Sequence, residues 1–520
     1  MHDVNVESGP RAPSLAGASG ASPMDGLLDS RLAVVCALAL VALVLRAPLF
    51  GDPVLHADEQ FYLLVGDRML HGALPFVDIW DRKPIGLFLL YAGLRRLGGD
   101  GILEYQLAAT VSATLTAFLV RDIARFLTTA RNAFLAGVAY LVYMLMFDGA
   151  GGQSPVFYNL LVVGAVRIFA GLRGGDGAPG GTAGRELLAA GICVNLLFGL
   201  AMQVKYTAVF EGVYFGLVLW YRAASLFRSR ASVLGALVLW AGCALAPTVA
   251  AVLVYRHLGH LPEFVQANFL SIFNRHQAKL PALLRLVLAA LALTPLAICA
   301  LRGMVRPEMG ARPSGLRPLL FGWAVAAIVG YVIFGSYYDH YALPLLPPLC
   351  VLAAPGFGTR HRLFNEWLTL AFALAVGVFM TGWRYYENGS PAQFDRLTRL
   401  VNANLHGCLF VYEGPSILYK QTHACFMTRY VFPSHLNNNK EADAVGVDTV
   451  AETARILQAS PSVIVMNAKS RGLTNFPTRA LVEQAVSRRY RLAGETTLGD
   501  GRWRVYALSG APAQPDAPHG

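Results

Sequence analysis

Long apolar runs separated by short, arginine-bearing polar breaks dominate the chain. The first extends from Leu32 to about Leu49 (LAVVCALALVALVLRAPL), and others begin near Tyr105, Asn132, Pro155, Leu187, Thr207, Val233, Ala282, Leu319, Tyr341 and Trp367. A helix needs roughly 17 to 25 apolar residues to cross a bilayer, because in hydrocarbon every backbone N–H and C=O must be paired within the segment. The pattern therefore predicts an α-helical polytopic membrane protein with about eleven transmembrane helices. Pro344, Pro347 and Pro348 predict that the tenth is irregular. The first run continues to full bilayer length without a small-residue cleavage site, so it reads as a retained span and not as a secretory signal.

Beyond Trp383 the pattern changes. Leu409 to Glu413 and Ser462 to Met466 read as buried strands, Ala480 to Arg489 as an amphipathic helix and Arg502 to Leu508 as a strand. The expected organisation is a Ser/Ala/Gly/Pro-rich disordered tail over 1–30, a transmembrane domain over 31–385 with a long first external loop at 51–104, a small external α/β domain over 395–510, and a disordered tail over 511–520. The Gly-rich stretch from Gly174 to Gly184 lacks the strand–Gly–helix context of a nucleotide fingerprint and reads as a flexible loop.

Orientation follows from the Lys/Arg bias of short loops. With a cytoplasmic N-terminus, Arg121, Arg125 and Arg131, then Arg173 and Arg185, then Arg222, Arg228 and Arg230, then Arg302, Arg306, Arg312 and Arg317, then Arg360 and Arg362 all face the cytoplasm. Outside lie the first loop, a loop from Tyr255 to Lys279, and everything after about Trp383. The 43 Lys and Arg against 32 Asp and Glu give a net charge of +11. Because the basic residues sit between apolar runs, that excess needs no nucleic-acid partner. Only 14% of residues are charged and 55% are hydrophobic, which excludes an ordinary soluble enzyme and a disordered chain. Five of the seven cysteines fall in apolar spans, whereas Cys408 and Cys425 fall in the exported part. An oxidising compartment would permit a disulfide there, and spacing alone leaves the pairing open.

The first external loop is too apolar for a solvated one. Phe61, Leu64, Val65 and Met69 recur at near-helical spacing, which predicts interfacial helices lying at the membrane surface. Asp58 and Glu59 then fall at a helix start, where a cap and a first-turn acid are ordinary. Asp78, Asp81, Arg82 and Lys83 could equally be a solvated cluster. Their company changes the balance: Asp148, Lys205, Arg256, Arg275, His276, Asp339 and His340 lie near other outward span ends, and charges near membrane depth are expected to pair or line a cavity.

These residues resemble a known pattern. Asp58-Glu59 just after span one, then Tyr62, Gly72-x-x-Pro75-Phe76 and Asp78-x-x-Asp81-x-Lys83-Pro84, are similar to the GT-C superfamily. The closer likeness is to the family 39 type that includes protein O-mannosyltransferases and the lipid A aminoarabinose transferase. Lys205 in QVKYTAVF and the stretch Tyr337 to Leu349 (YYDHYALPLLPPL) agree with it. The likeness covers about Leu32 to Pro355.

The resemblance implies a sugar donor on polyprenyl phosphate, a lipid, glycan or protein acceptor, and transfer on the non-cytoplasmic side of the bilayer. Asp58 is then the expected general base, with inversion at the anomeric carbon. Lys83, Lys205, Arg256 and His340 are the expected donor-phosphate ligands. Glu59 is expected to orient the base or hold a metal, and Asp148 to supply the second acid. Tyr62, Asp78, Asp81 and Tyr341 are expected to contact substrate. No cofactor is identified, and a divalent metal is left open. The chain departs from the pattern after Asp148, where Ser154, Pro155 and Asn159 offer no acid. The rival reading is a polytopic transporter or lipid flippase with an external accessory domain; repeated halves and midplane binding residues, which transporters tend to carry, are not visible. A related ligase would differ only in acceptor.

Overall fold

A computed structural model of the chain describes residues 28–172, 180–275, 279–306, 315–358, 365–470 and 472–510, without the side chains of 180 and 181. The first expected tail up to residue 27, the second expected tail, residues 174–179 of the Gly-rich stretch and His276 lie outside the described residues; the rest of that stretch, 180–184, is helical where a flexible loop was expected.

Helix α1 (Arg31–Arg46) opens the membrane part, and the first loop contributes α2 (Ala57–Met69) and α3 (Ile85–Arg95). Then come α4 (Ile102–Ala124), α5 (Ala130–Met144), α6 (Ser154–Gly171), α7 (Gly180–Val204), α8 (Val209–Leu226), α9 (Arg230–His257), α10 (Lys279–Met304), α11 (Leu316–Phe334), α12 (Leu346–Ala353) and α13 (Glu366–Asn388). Helices occupy all eleven positions expected for spans. Among the described residues, nine are long and apolar enough to cross a bilayer. The other two differ for readable reasons. Helix α8 carries Glu211, Arg222 and two tyrosines, and the Asp339–Leu345 and Ala354–Gly356 3₁₀ turns break the proline-rich segment around α12.

Small residues let the bundle close. Ala109, Ala113 and Ala117 of α4, one helical turn apart, are fully buried, and a side chain at Gly137 of α5 would collide with the Ala117 carbonyl. Without a hydrophobic force between helices in lipid, such close backbone approach supplies the packing. Helix α9 leaves leucines and valines such as Leu234, Val238 and Leu253 exposed along its length, as a lipid-facing helix does.

The first loop is more enclosed than its amphipathic pattern predicts. Residues Glu59 to Asp67 of α2 are all buried. Gly66 allows α3 to approach so closely that a Cβ there would lie 2.7 Å from the Ala92 backbone nitrogen. Phe76 adopts φ 71°, an unfavourable region for an aromatic residue, and its buried ring is held by Phe88, Tyr255 and Phe264. The Tyr255 hydroxyl donates to the Pro75 carbonyl at 3.0 Å, fastening the loop to the end of α9.

After α13 the chain forms α14 (Pro391–Asn402), β1 (Leu409–Val411), α15 (Thr449–Gln458), β2 (Val463–Asn467), α16 (Phe476–Arg489), β3 (Tyr490–Leu498) and β4 (Gly501–Leu508). The sheet order is β1-β2-β4-β3, with β1 and β2 parallel and the other pairs antiparallel. Strand β2 is buried throughout, which is why it reads as an unbroken apolar run. Strand β3 escaped sequence reading because Arg491, Glu495 and other polar positions alternate along an exposed edge. Cys408 and Cys425 are joined in a disulfide with Cα atoms 4.7 Å apart.

Candidate active site

Side chains from both parts of the protein converge on one cavity of about 830 Å³. Its wall begins with α2. Neighbouring residues on a helix point about 100° apart, so the two adjacent acids cannot share a direction. Asp58 faces the cavity, with a quarter of its side chain exposed. Glu59 turns the other way and is wholly buried, abutting Gly151, whose carbonyl accepts from Arg46 at 2.6 Å. Burial pushes the Glu59 carboxyl up. The structure therefore separates Glu59 from the cavity and corrects the expectation that it orients the base.

Lys83 precedes Pro84, the N-cap of α3, and a residue before proline is held extended. Its ammonium passes the Tyr62 ring, 5.1 Å from the centroid, and ends 3.8 Å from Asp58 and 3.9 Å from Asp81. Burial opposes its charge, but Asp58 and Asp81 outweigh that and raise its pKa. The converse holds for Asp58: burial alone would push its carboxyl up, yet Lys83 and the other cations hold it below the ordinary aspartate value. Tyr62 itself is buried behind Lys83 and does not line the cavity. Its expected contact with substrate is replaced by a contact with the lysine.

Lys205 stands just beyond the end of α7, its ammonium 4.0 Å from the centroid of the Tyr341 ring. Burial, reinforced by Lys83, lowers its pKa to about 7. His340 Nε2 lies 3.8 Å from Asp58, and its ring meets Tyr341 edge-on at 4.6 Å. Burial and then Lys205 lower the histidine to about 3, so it enters the site as a neutral imidazole and not as a cation. Asp148, at φ 54° after a 3₁₀ turn, also lines the cavity, held by Arg384 at 3.0 Å. The same guanidinium binds Asp339.

Two further expected residues lie elsewhere. Arg256 is exposed near the end of α9 and does not line the cavity. Asp78 is exposed and closes a local turn by accepting from the Leu74 backbone at 2.7 Å. The cation that the loop after α9 does bring to the cavity is Arg275. Sequence reading missed Arg384, and it missed the segment from Phe432 to Glu441, which brings His435, Lys440 and Glu441 from the C-terminal part into the cavity wall. The only sequence sign was a short, polar Asn-Asn-Asn-Lys-Glu run that resembles any surface loop. The cavity lining also includes the apolar side chains of Met202, Val209, Leu245, Phe269, Ile272 and Phe334. Among the described residues no group of three His, Cys, Asp or Glu is placed to hold a metal ion.

No protein-family model matches the sequence, and no curated protein does. Solved structures do. ArnT from Cupriavidus metallidurans bound to undecaprenyl phosphate is similar over 94% of this chain and 98% of that one, with TM-score 0.61 and 15% identity. Its apo state gives TM-score 0.59 and 16% identity over 92% and 97%. The oligosaccharyltransferase AglB from Archaeoglobus fulgidus, in complex with an inhibitory peptide and a dolichol-phosphate, gives 0.50 and 14% over 93% and 75%. At this identity the likeness shows the fold. The chain has the polytopic GT-C fold shared by these membrane transferases.

Proposed function

We propose that the protein is a membrane glycosyltransferase that moves a sugar from a polyprenyl-phosphate donor to an acceptor hydroxyl on the extracytoplasmic side. One observation carries the reading: an ionised carboxylate, Asp58, shares a cavity with Lys83, Lys205 and Arg275 and with several apolar side chains. A lipid-borne sugar phosphate needs these three elements together. The apolar side chains take the tail and the cations take the phosphate, whose negative charge grows as the anomeric C–O bond breaks. Asp58 accepts the proton of the acceptor hydroxyl while its oxygen bonds the anomeric carbon, and polyprenyl phosphate leaves from the opposite face. Inversion follows from that single in-line displacement. The undecaprenyl phosphate and dolichol-phosphate bound in the two similar structures support a polyprenyl donor. The Cys408–Cys425 disulfide supports an oxidising, extracytoplasmic setting for the C-terminal domain.

The test is release of polyprenyl phosphate by the purified protein in lipid nanodiscs supplied with polyprenyl-phosphate sugars and acceptor. Asp58→Asn is expected to lower turnover by about 10² to 10⁴ while leaving membrane insertion and thermal unfolding as in the wild type. Turnover retained in that variant removes Asp58 from the chemistry.

A further inference from the structure

The C-terminal domain reaches the cavity through a stretch tied by an isolated antiparallel bridge to the segment just before α16. The Asn475 backbone donates to the Asn437 carbonyl at 2.7 Å, and Asn439 donates to the Leu473 carbonyl at 2.9 Å. From this anchored stretch Glu441 projects, 5% exposed, between two arginines of different external loops. One oxygen accepts from Arg82 Nη2 at 2.6 Å, and the other accepts from Arg275 Nε at 2.8 Å. All three residues line the cavity. Next to it, the Lys440 ammonium donates to the Tyr338 hydroxyl at 2.9 Å.

Two largely buried guanidiniums would repel each other and leave the site unless a carboxylate lay between them. Arg82 and Arg275 hold Glu441 ionised: although burial opposes it, they lower its pKa to about 2. Each arginine gives one N–H to the bridge, and Arg275 also hydrogen-bonds Tyr341. Both line the same cavity as Lys83.

We infer that Glu441 is a positioning residue for donor binding: the C-terminal domain sets the cationic wall by clasping Arg82 and Arg275 in the orientation that receives the lipid-linked phosphate. The inference rests on the glycosyltransferase reading above and adds a part for the C-terminal domain within it. The clasp joins the first loop, the loop before α10 and the C-terminal domain. The domain thereby completes the donor site and is not an accessory to it.

The experiment uses the whole protein in nanodiscs and reads two quantities, equilibrium binding of undecaprenyl phosphate and steady-state transfer from a polyprenyl-phosphate sugar. Glu441→Gln is expected to weaken undecaprenyl phosphate binding and raise the donor KM by at least about tenfold, with kcat within a factor of about three. Glu441→Asp, which keeps the charge, is expected to recover much of the loss, and Arg82→Gln to weaken binding less than Glu441→Gln because the Arg275 contact survives. Unchanged or tighter binding in Glu441→Gln overturns the inference, as does a variant whose only defect is a lower unfolding temperature. A wild type that neither binds undecaprenyl phosphate nor releases it overturns the glycosyltransferase reading and this inference together, whereas an active wild type with an indifferent Glu441→Gln overturns this inference alone.

Discussion

Asp58 and Lys83 lie 3.8 Å apart at the cavity wall, one on the first turn of α2 and the other just before α3. The pair keeps a carboxylate ionised where burial would otherwise neutralise it.

That pairing fixes a pH profile. Because the Asp58 carboxyl sits below the ordinary aspartate value of about 3.9, its basic form persists through neutral pH and is lost only as pH falls below that value. The acid limb of kcat/KM is expected below about pH 4. Lys83→Met removes the largest opposing attraction and leaves burial dominant, so the limb should move to higher pH. A pH–rate series on both proteins checks it; an unmoved limb means that the pair does not set the titration.

Lys205, lowered to about 7 by burial and Lys83, loses its charge as pH rises through that value. A donor phosphodiester keeps one negative charge over the same range. Donor affinity should therefore fall between about pH 6 and pH 8.5 in the wild type and stay level in Lys205→Arg, whose guanidinium remains protonated. Binding isotherms at several pH values decide this, and parallel slopes in the two proteins would return Lys205 to a structural role.

Arg384 separates two carboxylates that otherwise face each other, Asp148 and Asp339. Arg384→Ala is expected to destabilise the protein by about 2 kcal/mol, below the range for a fully buried pair because the three side chains are partly exposed. Burial and Asp148 already push the Asp339 carboxyl up, so protonation relieves the repulsion in the variant. The loss should be larger at pH 8 than at pH 5 in thermal unfolding.

The Cys408–Cys425 bond closes a loop of sequence separation 17 just before the stretch that carries Glu441. Replacing both cysteines by serine is expected to lower the stability of the C-terminal domain by about 3 kcal/mol through restored chain entropy. Faster proteolysis within this domain, with the membrane helices protected, is the readout.

Arg256 is exposed and off the cavity, so Arg256→Ala should change donor KM by less than about twofold. Arg275→Ala, in the same kinetic assay, should raise it well beyond that.

The chain's period and breaks determined most of the membrane architecture. Apolar runs of bilayer length leave the backbone no alternative to helix, and the ionisable groups that break or border those runs, Asp58, Lys83 and Lys205 among them, stood out in the sequence for the same reason. What the one-dimensional pattern lacks is azimuth and distance. Adjacent Asp58 and Glu59 carry the same chemistry in sequence, yet a 100° step on α2 sends one into the cavity and the other into the protein. Arg256 lies in the last turn of α9 and Arg275 in the segment that follows it, and only the path of the chain after α9 decided that the second lines the site. Arg384 came from the far end of α13, and Glu441 from a domain of which three strands could be read without any sign of where it docks. Those contacts exist because several segments between the helices and one stretch of the C-terminal part meet at a single cavity, where the free energy of pairing buried charges depends on atoms that are distant in sequence.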